Sequence, residues 1–153
     1  MQRKHHYRIL ARHSLRTAPS AGALYPLEIY VASAGGFYHY EARPHQLARL
    51  SDRDLRAAMR RAALDQEAIT QAPAVFVIAA VYERTSRKYG AARTPRYLHM
   101  EVGHAAQNLL LEAVALGLGG VPIGAFEDEA LQKALALPVD QRPLYLVPVG
   151  HPR

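Results

Sequence analysis

Between Arg96 and Gly120 the chain places Leu98, Val102, Ala105, Leu109, Ala113 and Leu116 three or four residues apart, which is the spacing of one helical face. A second apolar stripe, Ala106, Leu110, Val114 and Gly117, lies on another side, so the pattern predicts a helix buried on nearly all sides. Pro95 suits its first turn, and Gly117, Gly119 and Gly120 supply a permissive end. Some two dozen residues in a helix span roughly 35 Å, the width of a small domain. Glu101, His104, Gln107, Asn108 and Glu112 break the apolar run, which excludes a membrane span. The stretch reads as a central scaffold helix shared with a partner subunit.

Elsewhere the pattern alternates or runs short. Leu27 to Ser33 reads as a strand, Ala34-Gly35-Gly36 as a turn and Phe37 to Tyr40 as the returning strand of a hairpin. Gln46 to Leu50, after the break at Pro44, predicts a short third strand. Ser51 and Asp54 resemble a capping box for a helix that turns Leu55, Ala58, Met59 and Ala62 inward and Arg53, Arg56, Arg60 and Arg61 outward. Asp65 is placed to cap a second short helix ending before Pro73. Ala74 to Val81 is a continuous apolar, β-branched run, the signature of a central strand covered on both faces. Thr85 to Thr94 reads as a basic loop, and Val121 to Phe126 as a short strand or loop. Glu127-Asp128-Glu129 opens a last helix with Leu131, Ala134 and Leu135 inward. Leu144 to Val149 is the final strand, and Pro148 places it at an edge or near the strand's end. The sum is an α+β domain over residues 1–153, with a mostly antiparallel sheet layered by helices.

The chain has 153 residues, 50% hydrophobic, with a formal net charge of +6 and no Cys. A chain of that size buries a respectable core. The missing Cys excludes disulfides, thiolate nucleophiles and Cys-based zinc sites. The start is basic and polar, with no readable secretory signal, which is compatible with a cytoplasmic protein. Basic residues cluster at Arg53, Arg56, Arg60 and Arg61 and at Arg84, Arg87, Lys88, Arg93 and Arg96. No nucleic-acid module accompanies them, and most read as solvated faces.

Four stretches could carry chemistry. Thr17 to Pro26 is rich in small residues; Ser20 and the amides around Ala21, Gly22 and Ala23 could face a flat ligand, or form an ordinary turn before a strand. Gly117 to Phe126 is Gly-rich but follows a helix, so it is no dinucleotide fingerprint; it reads as a helix end, or as Gly124 and Ala125 offering N–H groups to an electron-rich atom. Glu101 and His104 have an i, i+3 metal spacing, but the second such pair that a di-iron site needs is absent, leaving His104 a packed or hydrogen-bonded residue. Lys88 and Tyr89 could act as acid, base or oxyanion partner beside a pocket, or be surface residues.

Taken in order, Arg16-Thr-Ala-Pro-Ser-Ala-Gly-Ala-Leu-Tyr-Pro-Leu-Glu28, Tyr38-His-Tyr40, Ala72-Pro73, Lys88-Tyr-Gly90, Glu101-Val-Gly-His-Ala-Ala-Gln-Asn-Leu-Leu-Leu111, Gly117-Leu-Gly119, Pro122-Ile-Gly-Ala-Phe126 and Val149-Gly-His-Pro152 resemble the FMN-dependent nitroreductase superfamily. Within it they are similar to the SagB-type dehydrogenases, which include azoline oxidases. The resemblance implies a three-layer α/β/α sandwich, a homodimer, and FMN in a pocket lined by both subunits. It implies Pro19, Ser20, Ala21 and Gly22 against the flavin, with Gly124 and Ala125 donating main-chain hydrogen bonds near the reactive edge of its ring. Arg16 is the implied phosphate ligand, with Arg12 and Ser14 beside it. Lys88 and Tyr89 match a Lys-Tyr pair that abstracts a proton while hydride passes to FMN.

The activity so implied is a two-step hydride transfer between a donor, NAD(P)H or an azoline-like substrate, and an acceptor. The departures are specific. Two helices that family members carry ahead of the Pro-Ser segment are missing, and only Arg12-His-Ser-Leu-Arg16 resembles their Arg-Arg-Ser-x-Arg motif. Ala23 stands where many nitroreductases have Asn, and only Arg153 could replace their basic C-terminal contacts. The alternative is a shortened member without flavin activity that serves as a binding or partner subunit.

Overall fold

A computed structural model describes residues 16–152; the expectations for Arg12, Ser14 and Arg153 lie outside the described residues. The chain builds one six-stranded sheet from β1 (Leu27–Ser33), β2 (Gly36–Glu41), β3 (Gln46–Ser51), β4 (Ala74–Val81), β5 (Gly119–Gly120) and β6 (Gln141–Gly150), in the order β3-β2-β1-β4-β6-β5. Each pairing among these strands is antiparallel. The apolar run Ala74–Val81 is the centre, with Ile78 opposite Ile29 on one side and Tyr145 on the other. Val75 and Val77 through Val81 are buried, as a strand covered on both faces requires.

The helices are α1 (Arg56–Ala62), α2 (Ala68–Gln71), α3 (Tyr82–Tyr89), α4 (Thr94–Ala115) and α5 (Asp128–Ala134). One sheet face packs Tyr30, Phe37, Val77 and Leu146 against Met59 of α1, Ile69 of α2 and Leu131 of α5. On the opposite face α4 lays Val102 and Ala106 on Ile78, and Ala113 on Val147 and Val149. Helices on both faces of an antiparallel sheet make this an α+β architecture in three layers.

Several elements differ from their sequence reading. The basic stretch after β4 is mostly helix: α3 has Glu83 in its first turn and Arg87 and Lys88 in its last, and Arg87 pairs with Glu83 at 2.8 Å. Charge placed to suit the helix dipole and an i,i+4 ion pair substitute for apolar periodicity. The expected capping box does not form; Ser51 ends β3, and the Asp54 carboxylate accepts the Arg56 N–H at 3.0 Å. Asp65 caps nothing and faces Arg60 instead, while Glu67 precedes α2.

The scaffold helix begins two residues before Arg96 and ends at Ala115. Gly117, at φ +72°, turns the chain, and the Leu118 N–H returns to the Ala113 carbonyl at 2.8 Å, a Schellman end. The following glycines form β5, and an added Cβ on Gly120 would stand 2.7 Å from Leu110 Cδ2. β6 starts three residues earlier than expected and runs inside the sheet. Pro148 lies near its end, opposite Val75, and Pro143 falls at a register shift that opens between Ile78 and Ala79 of β4.

Burial of α4 is one-sided in this chain. Leu98, Glu101, Val102, Ala106 and Ala113 are buried, whereas Met100, Leu111, Val114 and Leu116 are 55–70% exposed. His104 is likewise exposed, correcting its reading as a packed residue. The helix is therefore covered on its sheet side, with an apolar face left in solvent.

Candidate active site

The Pro-Ser segment leads into β1 through a tight turn over Ala21–Ala23. Gly22 adopts φ +63°, and a Cβ there would lie 2.6 Å from Lys88 Nζ and 2.8 Å from the Tyr89 hydroxyl oxygen. The positive φ favours glycine here, and a Cβ would push the tips of both side chains aside. Tyr89 is braced by Tyr97 of α4, ring centroids 4.6 Å apart, and the Thr94 hydroxyl donates to the Gly90 carbonyl at 2.9 Å. The α3–α4 corner is thus fixed, while the Lys88 side chain itself is exposed.

Beneath the same turn lies Glu101, 4% exposed on α4. The Ser20 hydroxyl donates to Glu101 Oε2 at 2.7 Å, and Ser20 Oγ accepts the Tyr25 N–H at 2.9 Å. Burial raises the Glu101 pKa above its ordinary value; the Ser20 hydrogen bond, the Ala21 amide turned to the same carboxylate, and the charges of Arg16 and His104 oppose that rise.

A cleft of about 990 Å³ opens between the sheet and α4. Its floor is apolar, with Ile29 and Val31 of β1 and Phe76 and Ile78 of β4, and Glu101, Ala105 and Asn108 form one wall. Arg16 stands at its mouth, its guanidinium carbon 4.6 Å from the centre of the Tyr25 ring, while its backbone N–H donates to the Tyr25 hydroxyl at 3.2 Å. Glu28 on the opposite lip is engaged by Arg84 and by His39 at 2.8 Å. Among the described residues, the Asn108 side-chain nitrogen is buried without a hydrogen-bond partner.

Of the sequence-predicted residues, Ser20, Ala21, Gly22, Lys88 and Tyr89 come together, Pro19 adjoins them in the chain, and Arg16 lies at the cleft. Pro19, Ser20, Ala21, Gly22, Lys88 and Tyr89 do not line it but gather beside its Glu101 wall. Gly124 and Ala125 do not line it either. They follow Ile123, which bridges to Leu146 of β6; from β1 across β4 and β6 that is three strand spacings, about 14 Å. Both are exposed, and the Ala125 carbonyl accepts from Gln66 at 3.0 Å. Sequence reasoning missed Glu101 and Asn108 as partners of the turn and the cleft. Their signal was the seven-residue interval that puts both on one face of α4.

The nitroreductase family model matches residues 7–151. The chain belongs to the nitroreductase family. MJ1384, a nitroreductase-like protein of Methanocaldococcus jannaschii, is 45% identical over 150 residues, which are 94% of this chain and 74% of that protein. A nitroreductase-like structure from Anabaena variabilis superposes with a TM-score of 0.81 at 32% identity, covering 92% of this chain and 30% of that one. A chain of the E. coli microcin synthetase McbBCD complex, with truncated pro-MccB17 bound, superposes with a TM-score of 0.80 at 25% identity, covering 92% and 57%. The chain therefore spans about three quarters of one relative and well under two thirds of the two solved structures.

Members of the nitroreductase family are flavin oxidoreductases, and the residues present fit a flavin. The cleft floor is apolar, as one face of a flavin ring requires, and the Asn108 amide is an unused donor on its wall. Among the described residues there is no helix long and apolar enough to cross a membrane, and no cluster of three or more His, Asp or Glu able to hold a metal.

Proposed function

We propose that this chain forms the catalytic core of an FMN-dependent oxidoreductase of SagB-like type, transferring hydride in two half-reactions between a donor, NAD(P)H or an azoline-like substrate, and an acceptor. The observation that carries the reading is the convergence of Lys88 Nζ and the Tyr89 hydroxyl on the Gly22 backbone. When bound, FMN supplies the two-electron chemistry; the protein supplies position and proton transfer. In this reading Pro19, Ser20, Ala21 and Gly22 line the ring and Arg16 meets the phosphate. With an azoline-like donor, which loses a proton as well as a hydride on becoming an aromatic ring, Lys88 and Tyr89 take that proton; NAD(P)H gives up hydride alone.

Gly124 and Ala125 enter the same reading through a homodimer, since a second chain could present their N–H groups to a flavin that the first chain holds. The exposed α4 positions Met100, His104, Gln107, Leu111 and Val114 follow a 4-3-4-3 spacing, the seam of a helix-to-helix contact. Without Cys the protein has no disulfide that needs an oxidising compartment, and we place it in the cytoplasm.

Adding FMN to cofactor-free protein is expected to quench flavin fluorescence with saturation at one FMN per chain. Lys88→Ala is expected to keep that binding and to lower turnover of an azoline-like donor roughly a hundredfold or more. Protein that ignores FMN overturns the reading, and unchanged turnover in the variant removes Lys88 from the chemistry.

A further inference from the structure

We infer that Glu101 is a positioning residue: it locks the Ser20 turn onto α4 and fixes the Ser20 hydroxyl as a hydrogen-bond acceptor toward whatever the turn faces. A serine hydroxyl has one proton and two lone pairs. The proton is committed to Glu101 Oε2, and one lone pair takes the Tyr25 N–H. What is left for a ligand is a single lone pair, so Ser20 meets a donor group of the ligand and does not donate to a carbonyl.

The burial of Glu101 makes the arrangement rigid. At 4% exposure the carboxylate has little water to turn to, so losing the Ser20 hydroxyl leaves it poorly satisfied in a dry site. On the other side of the turn, the tips of Lys88 and Tyr89 lie over Gly22. The backbone is thus held between α3 and α4, and Glu101 is the α4 half of the grip. That Glu101 orders the turn stands on the structure alone; that the ordered turn meets a flavin rests on the function proposed above.

The test uses the full chain with Ser20→Ala, Glu101→Ala, the double variant and Glu101→Gln, in mildly alkaline buffer. Two readouts are taken: the FMN dissociation constant by fluorescence quenching, and hydrogen exchange of the Tyr25 amide in cofactor-free protein. Glu101→Ala and Ser20→Ala are each expected to speed Tyr25 exchange and to weaken FMN on the order of tenfold. The double variant should be no worse than Ser20→Ala alone, because Ser20→Ala already removes the Glu101 link along with the Tyr25 contact. Glu101→Gln, whose amide oxygen still accepts, should restore most of the protection and the affinity.

Additive losses in the double variant, or Tyr25 exchange indifferent to Glu101→Ala, would overturn the proposal. Unaltered FMN affinity in Glu101→Ala beside accelerated exchange would overturn its ligand-facing half. If the unmodified protein binds no FMN, it is the flavin reading that fails, while Tyr25 exchange still decides the role of Glu101.

Discussion

Gly22 shows how much one absent Cβ can decide. At φ +63° an L-residue is strained by about 1–2 kcal/mol, and its Cβ would also displace the Lys88 ammonium and the Tyr89 hydroxyl. Gly22→Ala is therefore expected to lower unfolding stability by about that amount in urea titrations, and to lower turnover further than stability explains. Glu101 gives a residue-scale prediction in pH. Burial raises its folded pKa above the ordinary 4.5, so the folded state holds this proton more tightly than the unfolded chain does. Its stabilising contribution is complete below the unfolded value and fades as pH rises through the folded one. Glu101→Gln is expected to flatten that downward leg of stability against pH, measured as melting temperature across the acidic range. An unchanged slope would mean the carboxylate is not the titrating group. Lys88 illustrates the limit of spacing arguments, since a Lys-Tyr pair in a basic stretch is a surface feature until the fold lays it over a glycine.

At the scale of elements, helix α4 is held by its sheet side. Leu98 is fully buried, so Leu98→Ala is expected to cost about 2–5 kcal/mol, read from chemical denaturation. The apolar pattern announced this helix and the central strand β4, because both repeat over many residues. The same pattern overstated the burial of α4: an apolar stripe states that a face avoids water, not which surface covers it. Helix α3 was illegible for the opposite reason. Of its eight residues only Thr85 is buried, which leaves no apolar period to read. The ends of elements were likewise decided by individual bonds, such as Asp54 accepting from Arg56 where Ser51 had looked like the cap.

For the molecule as a whole, two observations point the same way. Leu111 and Val114 stand 60% and 70% exposed on α4, and the two small-residue passages do not share one cleft. The proposed homodimer, with its second copy seated on α4, would account for both. Leu111→Glu is expected to turn a dimer into a monomer by sedimentation equilibrium and to weaken FMN binding with it, while leaving the helix content of the chain unchanged by circular dichroism. A variant that remains dimeric would place the subunit contact elsewhere.

By itself the sequence determined the long central helix, the buried strand and the ordered small-residue motifs, because each is written in neighbouring positions of one chain. It could not determine that Glu101 reaches Ser20, 81 positions earlier, or that Lys88 overlies Gly22. Those meetings depend on how α3 and α4 cross the sheet, and no local periodicity encodes that angle. Tertiary packing also decided which half of α4 is dry, since burial is settled by what arrives on a face and not by the face alone.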